Sequence, residues 1–270
     1  MFGLIIAIVA GIVVATVFIL PQAIGWGWIF GVSMFVLTVI LVHLLISLII
    51  RKDIKRITTN IQNILTESQH KTEFRQQQFM RRPIGSPQMM MQILEKEQNE
   101  GIRRAVEECA KLEPLCKWNL MVHWQINTMK VPLYFQLKDF DNLDQALKKC
   151  LLVDSQIIGI KLARLYKTKD SKLDKFFKKK CAHSKSDSAV LLYSTYAWML
   201  VKQQRYAEAL KVLVDAKKKT DNEVILRNWE HLANDRPKQF SNSGLGQVWY
   251  ALGLEEMKQA KVKQRRKGAF

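Results

Sequence analysis

Cys109, Cys116 and His123 recur every seven residues, a spacing that could align two thiols and an imidazole as soft-metal ligands on one helical face. Pro114 interrupts that helix and no fourth ligand is evident, so the thiols read as small apolar side chains instead. Cys150 and Cys181 complete the four cysteines without any C-x-x-C pair, and a cytoplasmic location would keep all four reduced. Asp141 and Asp144 resemble a carboxylate pair for acid–base work. They fall at a helix start, where acids offset the helix dipole. His43 is the one ionisable side chain in a long apolar stretch and could mark a proton or ligand site. Without an acidic companion it reads as a packing residue. The chain holds no G-x-x-x-x-G-K-[ST] loop, G-x-S-x-G elbow, H-E-x-x-H pair or dinucleotide glycine fingerprint. The expectation is a protein that is not an enzyme and uses no cofactor or metal.

The formal net charge of +18 points to anionic partners: phospholipid headgroups, nucleic acid or acidic protein surfaces. That charge lies almost wholly after Ile50. Residues 2–20 and 28–50 carry no Asp, Glu, Lys or Arg, and each run forms a helix long enough for a hydrocarbon core of about 30 Å. Between them P-Q-A-I-G-W-G-W breaks the helix with Pro21, Gly25 and Gly27 and offers Trp26 and Trp28 to the headgroup interface. The reading is a transmembrane hairpin over 1–50. A cleaved signal peptide would need a basic start, and M-F-G-L-I-I has none. Arg51, Lys52, Lys55 and Arg56 follow the second span directly. Positive residues stay inside and meet anionic lipid, so both termini are expected in the cytoplasm.

Small residues mark how the spans pack. Gly3, Ala7, Gly11 and Ala15 share one face of the first; Ala23, Gly27 and Gly31 repeat the spacing at the second. Packing of the spans on each other is the plainer reading, and contact between copies, giving a homo-oligomer, is the other. Ile50, Ile54, Ile57, Ile61 and Ile64 then form a stripe on a helix leaving the membrane, suited to the anionic leaflet or to another copy. Pro83, Gly85 and Pro87 end this basic connector and linker, 51–87.

From Gln88 the pattern is helical with short breaks, and it repeats. K-L-A-R-L-Y aligns with T-Y-A-W-M-L, placing Ala163 and Ala197 34 residues apart, with Leu162/Tyr196 and Tyr166/Leu200 in step. Ala209, Leu213 and Ala216 follow as small, large and small residues of a second helix, and Tyr193 joins the first-helix set. W-Y-A-L-G supplies Trp249, Leu252 and Gly253; A-L-K-K-C-L-L-V (146–153) and A-V-E-E-C-A-K-L (105–112) look like second helices. Small residues let paired helices approach, and large ones fill the gap beside them. These residues resemble a tetratricopeptide repeat (TPR) domain over 88–263, followed by a basic tail end, 264–270. Lys175, Glu256 and Pro132 depart from the pattern.

The fold class expected is therefore all-α: a transmembrane helical hairpin, a helical connector and a TPR-like α-solenoid. Hairpin plus degenerate repeats is similar to the bacterial HemY-type membrane proteins in architecture, which implies an inner-membrane location and no particular activity. In a TPR-like register, Arg164, Lys167, Trp198 and Lys202 line the groove between first helices, where a basic, aromatic surface suits an acidic or C-terminal peptide. The same residues also fit a solvated face with a half-buried Trp. Basic runs at 176–185 and 258–267 fit anionic lipid, RNA or plain solvation. Function is expected to be that of a scaffold with a protein partner. An RNA or ribosome tether is the alternative, and a transporter or channel accessory subunit a second one.

Overall fold

A computed structural model describes residues 2–19, 27–118, 120–181, 184 and 186–256, with side chains except those of 17–19, 27–30, 120, 186 and 187. Pro21, Ala23, Gly25 and Trp26, the side chain of Trp28, part of the 176–185 run and the whole 258–267 run lie outside that description. All regular structure among the described residues is helical, which establishes the all-α class. The chain divides into two compact units, 1–151 and 152–270.

In the first unit α1 (Phe2–Ile19) lies antiparallel to α2 (Gly27–Arg81). Gly3 faces Ile46 and Gly11 faces Phe35 and Val39. A Cβ on Gly11 would stand 2.8 Å from the Phe35 ring, so close approach requires glycine there. Ala7 and Gly31 are buried and Ala15 half-buried, while Gly27 is the first residue of α2. One described helix, α2, is long and apolar enough to cross a membrane; the apolar run Phe2–Thr16 of α1 is shorter. Only 6% of the most apolar stretch of α2 is buried, unlike the core helix of a soluble protein. Leu37, Leu44 and Ile49 point outward with their neighbours. His43 is also exposed.

α2 continues unbroken for 55 residues, into its charged half. There the isoleucine stripe is covered by the chain itself rather than by lipid or a second copy. α3 (Pro87–Ala110) lies along it, and α4 (Leu120–Gln136) packs on α3 and adds side chains to the same clusters. Ile61 is buried with Ile102, Ala105, Cys109 and Leu133, and Ile50 with Leu112, Val122 and Ile126. Burying each such side chain stabilises by roughly 1.5–3 kcal/mol, which explains why the stripe closes intramolecularly. The Pro83–Pro87 cluster makes a tight turn: Gly85 takes φ +72°, and Ser86 caps α3 by accepting from the Met89 amide at 3.2 Å. Pro132 does not disturb α4, contrary to expectation, because its buried neighbours Val131 and Leu133 hold the helix through it. α5 (Phe140–Lys149), capped by Asp139, completes the unit and ends before the expected 146–153 run does.

The second unit holds α6 (Ser155–Lys167), α7 (Leu173–Phe176), α8 (Ser186–Lys202), α9 (Tyr206–Lys217), α10 (Glu223–Ala233) and α11 (Gln247–Tyr250). α8 packs on both α6 and α9, and α9 on α10. Ala163, Ala197, Ala209 and Ala216 are fully buried where these helices meet, among Leu162, Tyr193, Tyr196, Leu200 and Leu213. At Lys175 the departure from the repeat has a structural counterpart. The regular helix stops after four residues and passes into a π turn, Phe177–Cys181, burying Leu173, Phe177 and Cys181 in place of a small-residue seam.

One turn recurs in both units. Lys138, Lys169, Gln204 and Asp235 have φ of 58°, 53°, 62° and 53°, at intervals of about 31–35 residues. Each follows α4, α6, α8 or α10, and the next amide (Asp139, Asp170, Arg205, Arg236) donates back to a carbonyl five residues earlier, at 2.7–3.0 Å. These are Schellman closures made without glycine.

Candidate functional site

The residues expected to line a groove converge on α6 and α8; the chain itself covers Trp198, while Lys167 and Lys202 stay exposed. Trp198 is only 6% exposed. Its ring meets Tyr166 edge-on at 5.8 Å and Trp249 at 5.5 Å. Both indoles donate to one carboxylate: Trp198 Nε1 to Glu255 Oε1 at 2.8 Å, and Trp249 Nε1 to Glu255 Oε2 at 3.0 Å. Lys202 Nζ lies 5.1 Å above the Trp198 ring, and Lys167 Nζ donates to the Gly253 carbonyl at 2.7 Å. Arg164 is half-buried. The segment 247–255 thus lies over the aromatic part of the expected groove and leaves its lysines exposed.

That segment corrects a second expectation. W-Y-A-L-G does not begin a long first helix: α11 has four residues, and the chain turns at Gly253, φ +58°. Trp249 and Leu252 are both fully buried. Each contributes roughly 2–3 kcal/mol to seating the segment. Gly159 makes room for it, since a Cβ there would stand 3.0 Å from Leu252.

Beside this closed face lies an open cleft of about 560 Å³, lined by Tyr166, Lys167, Lys169, Asp170, Asp174, Gln203 and Arg205. Arg205 holds its floor, bound to Asp174 and Glu208. The guanidinium keeps the Asp174 carboxyl below the usual carboxylate range, with a second hydrogen bond from Tyr196 working the same way against desolvation. Burial and that bond push the Tyr196 hydroxyl upward. Asp174 and Arg205 therefore stay an ionised pair at neutral pH, and the cleft presents acidic and basic side chains on the turns of two hairpins. The repeat positions did not identify Asp174 or Arg205. An acid and an arginine 31 residues apart signal nothing until α7 and α9 are placed together.

The thiol and imidazole set is dispersed. Cys109 is on α3, Cys116 on the 3-10 turn Glu113–Lys117 and His123 on α4. Among the described residues no three His, Cys, Asp or Glu side chains are grouped to hold a metal ion. Arg51, Lys52, Lys55 and Arg56 are all exposed, just beyond the apolar half of α2. No protein-family model, curated protein or solved structure matches the chain.

Proposed function

We propose that this chain is a bacterial inner-membrane scaffold or adaptor, anchored as a two-span hairpin with both termini cytoplasmic, whose TPR-like helical domain holds a protein partner. The observation carrying this reading is the unbroken 55-residue helix that joins an exposed apolar stretch to a helical body. Exposed Leu and Ile on that scale call for a hydrocarbon environment. The recurring turns and buried alanine seams support a repeat of helix pairs. The mixed-charge cleft at Lys169 and Gln203 is where the partner docks, because the aromatic part of the neighbouring groove is covered by the chain's own Trp249 and Leu252.

The test is photo-crosslinking of the full chain in native membranes, with a benzophenone side chain at Lys169 or Gln203. A discrete protein adduct at both positions, lost from a control at Arg103, supports the reading. Absence of any adduct while the second unit resists protease rejects it. Exposed Lys178, Lys179 and Lys180 favour RNA tethering as the second reading. RNA filter binding by the full chain in detergent would then weaken steeply with salt, and no binding at low salt eliminates it.

A further inference from the structure

The turn between α3 and α4 lies where α2 changes from apolar to basic. α3 runs toward that level: Gly101 packs on Ser68, and Leu112 reaches Ile50. α4 runs away from it, with Val122 and Ile126 at Ile50 and Leu133 at Ile61. The 3-10 turn Glu113–Lys117 and Trp118 between them therefore face the apolar end of the unit.

There they meet α1. The Phe2 and Trp118 rings contact edge-on at 6.1 Å. A Cβ on Gly3 would stand 3.1 Å from the Trp118 carbonyl oxygen and 3.3 Å from Ile46. The tip of α1, the apolar–basic junction of α2 and Trp118 thus share one level. Trp118 nevertheless keeps 38% of its surface exposed and Met121 46%, beside exposed Lys117. An indole next to lysine, continuous with an apolar helix face, matches the amphipathic chemistry of the headgroup layer.

We infer that this turn is a second membrane contact, in which Trp118 and Met121 enter the cytoplasmic headgroup layer and Lys117 meets anionic lipid. The occupant is the bilayer surface that also receives Arg51 and Lys52. The contact fixes how far the first unit stands from the membrane, and it rests on the membrane reading proposed above.

The probe is hydroxyl-radical footprinting of the full chain in nanodiscs containing phosphatidylglycerol, read by mass spectrometry at single residues. Met89 and Met91, 50% and 58% exposed at the opposite end of α3, are internal standards of the same chemistry. The expected result is oxidation of Met121 several-fold slower than of Met89 and Met91, with Trp118 similarly protected. Oxidation of Met121 at the rate of those standards, with Leu44, Leu45 and Leu48 protected, overturns the inference and leaves the membrane span intact. Oxidation of Leu44, Leu45 and Leu48 as well overturns the membrane reading itself.

Discussion

Arg205 grips Asp174 with two donors, Nη2 to Oδ2 at 2.8 Å and Nη1 to Oδ1 at 3.3 Å. The same guanidinium donates to Glu208 twice at 2.7 Å, and the Tyr196 hydroxyl donates to Asp174 at 2.9 Å. One arginine thereby joins α7, α8 and the first turn of α9, where the π turn leaves little regular helix to do so.

The pH dependence of this grip follows from the direction of the Asp174 shift. Its folded value is depressed, chiefly by the Arg205 hydrogen bond. The stabilisation is present above the unfolded value of about 3.9 and disappears as pH falls through the lower folded value. Asp174 is 40% exposed, so solvent screening limits the contribution to under about 1 kcal/mol. Asp174→Asn should lower the thermal midpoint at pH 7 in detergent and converge on wild type near pH 2. Equal differences at both pH values would refute this.

Gln204 occupies a left-handed conformation that costs a non-glycine residue about 1 kcal/mol. Gln204→Gly should raise the midpoint of unfolding or leave it unchanged. Gln204→Val, branched at Cβ, should lower stability by about 1–2 kcal/mol. Urea titration of both variants, followed by tryptophan emission, checks the opposite signs.

Asn228 and Asn242, both fully buried, pin the loop after α10. Asn228 Nδ2 donates to the Ser241 carbonyl and to Asn242 Oδ1, each at 3.0 Å, and Asn242 Nδ2 donates to the Ser194 carbonyl at 2.8 Å. Asn242→Ala removes the side-chain donor to the Ser194 carbonyl and the acceptor of Asn228 Nδ2, at a cost of about 1 kcal/mol. Limited proteolysis should then cut 237–246 faster than in wild type, and unchanged cleavage would count against the pinning role.

Cys109 and Cys181 are fully buried, and burial pushes their thiols up to about 11 and about 12. At pH 7.5, N-ethylmaleimide should modify neither in the native protein. The half-buried Cys116 and Cys150 should react first, and all four in denaturant. Peptide mapping distinguishes them, and early modification of Cys181 would show that the π turn opens.

The long helix was legible because α2 joins two plain signals, an uncharged run and an isoleucine stripe of period 3.5. What covers the stripe was not, since Ile102, Val122 and Ile126 are ordinary helix residues until α3 and α4 bring them to it. The buried alanines at 163, 197, 209 and 216 were readable from spacing, because only small residues fit helix crossings. The turns between helices were hidden. Lys138, Lys169, Gln204 and Asp235 stand where glycine ordinarily announces a closure, and a lysine carries no such mark. Trp249 misled for a related reason: a helix of four residues can bury an indole as deeply as a long one.

A rod converts rotation into displacement. On the membrane reading proposed above, which places Gly27–Ile50 in lipid, the 51–81 portion of α2 is a lever of roughly 45 Å at 1.5 Å per residue. Swinging it through about 10°, within the ordinary range of helix inclination, carries Arg81 sideways by about 8 Å. A change in bilayer thickness that re-tilts the buried end would therefore be felt, amplified, at Arg81.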